Sequence, residues 1–135
     1  MIKSLTQYKE DYIKSVEDPK EFWSKYSKSF LWSKKPKDIL SWNFHDPDVK
    51  WFTDGIMNIT ENIFERNRKN ESDIAIIWEP NKPNEKNIEL TYSQLFKKVC
   101  AFANVLKALG VKKGDRVIIY LPMIPEAAIS MLACA

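Results

Sequence analysis

The chain has 135 residues, 44% of them hydrophobic and 29% charged, and carries a formal net charge of +3. This length suits one domain, and the composition is that of a soluble globular protein rather than a disordered one. Basic residues stand mostly beside acidic ones, and the densest basic run, residues 34–37, is short. A nucleic-acid-binding surface needs a basic stripe on one face. This class of function is therefore disfavoured.

The cysteines and the single histidine are too scattered to predict a metal site. Cys100 and Cys134 lie in apolar helical contexts without a CxxC spacing, and His45 lies in a loop with proline and aspartate neighbours. This usage predicts buried, free thiols in a reducing cytosol, and neither a disulfide framework nor a metal centre.

The sequence favours a soluble, cytoplasmic protein over a membrane protein. Its first residues carry charges every few positions and contain no apolar core, unlike a secretory signal. Residues 117–135 contain a single charge, Glu126, but also Pro122 and Pro125. A strand, a turn and a helix explain that pattern better than one membrane-spanning helix, which stays open as an alternative.

Two helices are predicted near the N-terminus. The first covers about residues 6–15 and carries Tyr8, Tyr12 and Val16 along one side at a spacing of four. The second begins after Asp18, because aspartate is a good N-cap and Pro19 suits the first helical position. Glu21 stands three residues after the cap, as in a capping box.

Residues 30–52 are rich in aromatic side chains and show little periodicity. The large side chains, distributed among prolines and aspartates, are Trp32, Trp42, Phe44, Trp51 and Phe52. One interpretation is an aromatic recognition surface. We favour a long extended arm pinned to a neighbouring domain, because a segment without a periodic core must find apolar area elsewhere.

Organised α/β structure is predicted from about residue 58. Asn58 has the character of a helix cap, and Ile59, Ile63 and Phe64 give the following helix an apolar side. Residues 74–78 form a short β-branched run that predicts a buried strand. Residues 81–87 form a polar, hairpin-like loop before a second short strand at residues 88–91.

The most regular helix of the sequence is predicted after Thr91, which begins a cap pattern. Its apolar residues recur at spacings of four and three: Leu95, Val99, Phe102, Leu106 and Leu109. Gly110 stands where a left-handed residue ends a helix. Residues 112–115 are predicted as a turn, residues 116–121 as a second fully buried strand, and the prolines at 122 and 125 as the entry to a last helix.

This order of elements predicts the fold class. Strand, helix, strand and helix in sequence make half of a doubly wound α/β sheet, preceded by a helical, aromatic-rich N-terminal arm. A continuous apolar strand at residues 117–120 would need helices on both faces. The last helix reaches Ala135 without a cap or a glycine, so we expect a further strand to follow it.

The residues alone indicate no catalytic constellation. Gly55, Gly110 and Gly114 fit neither GxGxxG nor GxxxxGK spacing, and the turn at Gly114 precedes a strand where a phosphate loop would follow one. Glu126 opens a helix at the end of a strand, where α/β proteins gather ligands, but such a glutamate more often complements the helix dipole. No serine, cysteine or histidine has an evident base or orienting partner.

Several segments resemble the acetyl-CoA synthetase branch of the adenylate-forming acyl-CoA synthetase superfamily. The likeness is greatest over residues 106–135, where it is carried by residues 114–117 (GDRV) and 122–127 (PMIPEA). Matching segments occur upstream in the same order: residues 18–23, Trp42-Asn43-Phe44, Lys50-Trp51-Phe52 and residues 75–79. The GDRV turn is shared widely across the superfamily. The other runs are common to the acetyl and propionyl branches, and Ile77-Trp78-Glu79 favours acetyl.

This resemblance implies a ligase that activates acetate with ATP and Mg²⁺ to acetyl-adenylate and then transfers the acetyl group to coenzyme A. The family's phosphate loop, acetate pocket, coenzyme A contacts and catalytic lysine would all follow Ala135. No catalytic, cofactor-binding or metal-binding residue is therefore assigned to this chain, which we expect to be inactive and unliganded alone. Residues 1–57 would form an arm packed on the main body, and residues 58–135 the start of the AMP-binding domain.

Two further hypotheses stay open. One is the equivalent part of a propionyl-CoA synthetase. The other is a stand-alone, non-enzymatic interaction module that uses the surface of residues 32–52. Acetate, ATP, coenzyme A and the remainder of its own chain are the expected partners under the leading hypothesis, and nucleic acid and membranes are not.

Overall fold

A computed structural model describes residues 2–43 and 45–135. The chain divides into two compact units, Met1–Asn58 and Ile59–Ala135. The first unit contains α1 (Leu5–Glu17), α2 (Pro19–Ser27), β1 (Asp38–Asn43) and β2 (Asp48–Thr53). The second contains α3 (Ile59–Arg66), β3 (Ile74–Trp78), β4 (Ile88–Thr91), α4 (Tyr92–Ala108) and α5 (Pro125–Cys134), with a short 3-10 turn at Arg68–Asn70.

Side-chain caps set the starts of the first two helices. The Ser4 hydroxyl accepts a hydrogen bond from the backbone N–H of Gln7, so α1 begins one residue before the predicted position. The Asp18 carboxylate accepts from the backbone N–H of Glu21 at 3.0 Å, which confirms the predicted cap of α2. Such caps stabilise a helix by roughly 1 kcal/mol.

The prediction of an irregular, extended arm over residues 30–52 was wrong in part. Strands β1 and β2 form an antiparallel hairpin in which Leu40 lies opposite Trp51 and Trp42 opposite Val49. The backbone groups of this segment are therefore paired across the hairpin, a non-local arrangement that its irregular hydrophobic pattern did not reveal. The prediction for Phe44 lies outside the described residues.

Aromatic rings hold the first unit together. Among its described residues no apolar side chain is buried, and the large side chains instead touch edge to face or tilted. Trp23 of α2 meets Trp51 of β2 with ring centroids 6.2 Å apart, and Phe52 continues the contact to Trp32 at 5.6 Å. The Trp32 indole N–H also donates to the carbonyl oxygen of Ser27 at 2.9 Å. The unit is thus a chain of ring contacts rather than a closed core.

A tight turn at the end of β2 packs against the Trp32 ring. Phe52 and Asp54 adopt positive φ angles of 50° and 60°, which is unusual for residues with a side chain. The backbone N–H of Gly55 donates back to the carbonyl oxygen of Phe52 at 2.9 Å. A Cβ atom at position 55 would lie 2.6 Å from Cζ3 of Trp32, so only glycine fits there.

The second unit is built around one small core. Its buried apolar residues, which come from β4, α4 and α5, are Leu90, Leu95, Val99 and Ile129. Strand β3 pairs with β4 in antiparallel register, with an irregularity between Ile74 and Ile76. Thr91 and Gln94 form a reciprocal capping box, which confirms the predicted start of α4. The Thr60 hydroxyl of α3 donates to the carbonyl oxygen of Leu132 in α5 at 2.9 Å.

The end of α4 follows the prediction in its backbone but not in its packing. Gly110 has a φ of +86°, and the backbone N–H of Val111 donates to the carbonyl oxygen of Leu106 at 3.1 Å, as expected for a left-handed helix end. Leu109, however, is 75% exposed, so the predicted apolar stripe is buried or half-buried up to Leu106 and open at its last residue. Ile59 of α3 is likewise exposed, while the polar Asn62 is buried.

The predicted strands differ from the structure in burial. Strand β3 has the predicted bounds, but its Ile77 is 67% exposed. Residues 116–121 take part in no sheet within the described residues, where β1 pairs only with β2 and β3 only with β4. Burial of these apolar runs requires neighbouring strands and helices on both faces, and two-stranded hairpins do not supply them. The α/β character is confirmed at the level of mixed helices and small antiparallel sheets.

We expect Gly55→Ala to lower the free energy of unfolding of the first unit by about 1–3 kcal/mol, because the added methyl group displaces the Trp32 ring. Urea unfolding followed by tryptophan fluorescence measures this change, since Trp23, Trp32, Trp42 and Trp51 all lie in the first unit. Lys9→Ala is the control, because it also introduces alanine in the first unit but at an exposed position of α1, where little change is expected. An unchanged transition in Gly55→Ala would contradict the close packing described above.

We expect Leu95→Ala to destabilise the second unit by roughly 2–5 kcal/mol, because it leaves a cavity beside Val99 and Ile129. Leu109→Ala, at the C-cap residue that follows Ala108, is the matched control and should change stability by less than about 1 kcal/mol, since that side chain is exposed. Hydrogen exchange of the α4 amides in the two variants checks the difference. Equal effects of the two substitutions would show that the core is not where the structure places it.

Candidate functional site

The ionisable residues considered from the sequence do not converge on a reactive centre. Glu126 is exposed in the first turn of α5, where its charge complements the helix dipole. The backbone N–H of His45 donates to Oδ1 of Asn43 at 3.0 Å, in an exposed turn. Over residues 2–43 and 45–135, no three histidine, cysteine or acidic side chains are grouped closely enough to hold a metal ion.

The two cysteines are free, as predicted, but they are not buried. Cys100 on α4 is partly covered, and Cys134 in the last turn of α5 is exposed. The prediction of buried thiols was wrong, because Cys134 lies on an open side of α5 and Cys100 is covered only in part. Among the helices in the described part of the chain, none combines the length and hydropathy that a membrane crossing requires.

The turn predicted around Gly114 is present and is closed by local hydrogen bonds. The backbone N–H of Lys112 donates to a carboxylate oxygen of Asp115 at 2.8 Å, and the N–H of Asp115 returns a hydrogen bond to the carbonyl oxygen of Lys112 at 3.0 Å. Gly114 has a φ of +98°. These local hydrogen bonds use the backbone N–H groups of Lys112 and Asp115, and the turn leads into the segment that follows it.

The titration shifts in the described residues belong to exposed ion pairs of the first unit. The pKa of Asp54 is lowered by its hydrogen bond to Lys37, with Nζ and Oδ2 2.8 Å apart, and by the charge of that lysine. The pKa of Asp38 is lowered in the same way by Lys20. Catalytic acids and bases usually lie in clefts that perturb them by burial. These pairs therefore secure the hairpin rather than mark a reaction site.

A concavity of the second unit lies between the end of β3 and the turn before α5. It has a volume of about 590 Å³ and is lined mainly by apolar side chains, among them Ile77, Trp78, Met123 and Ile124, with Glu79, Lys82 and Glu85 at its polar side. The Trp78 indole N–H donates to the carbonyl oxygen of Met123, 2.6 Å from Nε1. This hydrogen bond ties the end of the strand to the proline-rich turn.

Residues 117–121 lead directly into that turn and have a regular pattern of exposure. Val117, Ile119 and Leu121 are 39%, 39% and 46% exposed, whereas Ile118 and Tyr120 are 92% and 98% exposed. Alternation with a period of two is the signature of an extended backbone with one covered face. In this segment one face is partly covered and the other is open to solvent.

The described residues around this concavity therefore form an apolar surface suited to packing. The sequence reasoning missed the part played by Trp78, because a hydrogen bond between residues 45 positions apart leaves no local pattern. Its only signal was that Ile77-Trp78-Glu79 belonged to a segment of family resemblance. The exposure of Ile118 and Tyr120 was missed because their local pattern was misleading. An apolar run predicts that the side chains are buried, but it does not identify the elements that would cover them.

Comparison with protein families assigns both parts of the chain. The family described as "AMP-binding enzyme" matches residues 63–135, which is more than half of the sequence. The family described as "Acetyl-coenzyme A synthetase N-terminus" matches residues 8–63. The chain belongs to the AMP-binding enzyme family.

The individual relatives narrow this class. The chain is 47% identical over 132 residues to the acetyl-coenzyme A synthetase of Novosphingobium aromaticivorans, a match that covers 96% of the chain and 20% of that relative. It is also 47% identical to the proteins of the same name from Saccharophagus degradans and Bartonella quintana, over 131 and 130 residues, or 96% and 95% of the chain. The chain spans about a fifth of the length of these curated relatives.

We expect Trp78→Phe to loosen the turn at residues 122–125 while preserving the fold of the second unit. The ring is retained but the 2.6 Å hydrogen bond to Met123 is lost, a change of about 0.5–1.5 kcal/mol. Hydrogen exchange at the amides of Ile124 and Ala127 should accelerate. Trp42→Phe, the same chemical change in the first unit, is the control and should leave these amides unaffected; acceleration in both variants would contradict the assignment.

Proposed function

We propose that the chain is part of an acetate–CoA ligase of the AMP-forming type. The observation that carries this proposal is the 47% identity over nearly the whole chain to proteins named acetyl-coenzyme A synthetase. In the proposed reaction, a carboxylate oxygen of acetate attacks the α-phosphorus of ATP and displaces pyrophosphate. The thiol sulfur of coenzyme A then attacks the acetyl carbon, loses its proton and displaces AMP.

The part played by this chain in such a ligase is structural. We assign residues 1–57 to an arm packed on the main body and residues 58–135 to the start of the AMP-binding domain. The alternating exposure of residues 117–121 supports a place for this segment inside a larger, doubly wound sheet, because that pattern is one of an extended strand. Its open face and the open face of β3 would then be covered by further strands and helices.

The substrates and cofactors of the proposed ligase are acetate, ATP, coenzyme A and Mg²⁺. Mg²⁺ prefers carboxylate oxygens, phosphate oxygens and water in octahedral geometry. The acidic residues in the described ranges do not form such a group, so no step of the reaction is assigned to them. We propose a cytoplasmic location, since the free thiols of Cys100 and Cys134 fit a reducing compartment.

We expect the protein expressed from the complete reading frame to catalyse acetate-dependent exchange of labelled pyrophosphate into ATP. This assay reads the first half-reaction directly and does not require coenzyme A. Propionate in place of acetate is the control for the branch of the family, and acetate should support the faster exchange. Exchange that is independent of any carboxylate, or its absence, would refute the proposed activity; faster exchange with propionate would reassign the substrate.

We expect the 135-residue chain alone to bind neither ATP nor coenzyme A at micromolar concentrations, because the described residues offer neither a phosphate-binding loop nor a metal site. Isothermal titration with each ligand measures this, with the protein of the complete reading frame as the positive control. A micromolar dissociation constant for ATP on the 135-residue chain would show that a nucleotide site lies within these residues after all.

A further inference from the structure

Helix α1 has its polar side turned inward and its apolar side turned outward. The α1 side chains with the greatest coverage are Gln7, Asp11 and Ser15, which follow one another at a spacing of four and so share one side of the helix. Its apolar side chains are between 51% and 68% exposed: Leu5, Tyr8, Tyr12, Ile13 and Val16. A helix on the surface of a globular protein normally has the reverse arrangement.

The neighbouring helix does not cover the apolar stripe. Helix α2 meets the charged side of α1 across a groove of about 200 Å³, to which α1 contributes Asp11, Lys14 and Glu17. The rings of Tyr8 and Tyr12 instead stack on each other on the open side, with centroids 6.4 Å apart. The five apolar side chains therefore form a continuous surface, which we call the α1 stripe, that no element of the first unit occupies.

The size and charge of the α1 stripe restrict what can cover it. A stable interface between separate proteins involves roughly 20–30 residues on each side, several times the number in the stripe. A second copy of the chain would thus gain too little area to remain bound through this surface. Helix α1 contains two lysines and three acidic residues, a net charge of −1, which does not suit an anionic membrane surface.

A surface on the same polypeptide is limited neither by the small size of the stripe nor by the charge of α1. Tethering provides an effective concentration in the millimolar range, so a small apolar contact suffices. Relatives that are 47% identical over 96% of this chain are about five times longer, since the match covers 20% of their length. The remainder of such a protein is therefore the partner that is always within reach of α1.

We propose that the α1 stripe packs on an apolar surface of the part of the AMP-binding enzyme that the longer relatives have and these 135 residues do not span. This inference rests on the proposed function and extends it by naming the face of the arm that makes the contact. In this proposal the polar side of α1 contacts α2, and its apolar side contacts the rest of the enzyme.

Hydrogen exchange of the α1 amides tests this proposal in two proteins, the 135-residue chain and the protein of the complete reading frame. Exchange in α1 should be at least tenfold slower in the longer protein. The double variant Tyr12→Gln with Val16→Gln should abolish that slowing, because glutamine preserves helix propensity and removes the apolar contact. Glu10→Gln introduces the same residue at an exposed position outside the stripe and should retain the slowing.

Four outcomes would overturn the proposal. They are equal exchange in the two proteins, slowing that survives in the double variant, slowing that grows with protein concentration together with a dimer by light scattering, and sedimentation of the longer protein with lipid vesicles through α1. Circular dichroism of the 135-residue double variant verifies that α1 is still formed. Acetate-dependent pyrophosphate exchange by the unmodified longer protein reports on the proposed function separately.

Discussion

The rest of this structure depends on one constraint: an apolar extended segment is stable only when other elements pack against it. Residues 117–121 have one face partly covered and the other open to solvent. An extended backbone also carries a donor and an acceptor at each residue that require partners. The turn at Gly114 sends the chain into this segment, and the hydrogen bond from Trp78 to Met123 fixes where it ends. The second unit thus presents an apolar extended segment with one open face.

The features that could be predicted from the sequence are those fixed by residues close together along the chain. The caps at Asp18 and Thr91 act over three residues. Gly110 adopts a left-handed backbone because glycine has no Cβ atom. The bounds of β3 followed from a β-branched run between polar neighbours. Each of these depends on the local backbone, which leaves a recognisable pattern in the residues.

The features that could not be predicted depend on contacts between distant residues. The hairpin of β1 and β2 is defined by pairs such as Leu40 with Trp51. The sequence of these strands has no strict alternation of apolar and polar residues that would have predicted it. The exposure of Leu109 and Ile118 was missed because apolar periodicity predicts that a face will be buried without specifying a partner. The candidate site follows the same rule. Family resemblance identified the class, whereas local patterns could not place the Trp78 hydrogen bond.

The exposed apolar faces of the two units have a common energetic meaning. A compact domain of this size normally buries close to two-thirds of its unfolded surface. The hydrophobic core of the described residues has four buried side chains, Leu90, Leu95, Val99 and Ile129, all in the second unit. Ordering the backbone costs about 1–2 kcal/mol per residue, which so small a core offsets poorly. The α1 stripe and residues 117–121 would contribute the missing burial once covered. Packing on the enzyme body would therefore both position the arm and stabilise it, because one set of apolar side chains serves the two purposes.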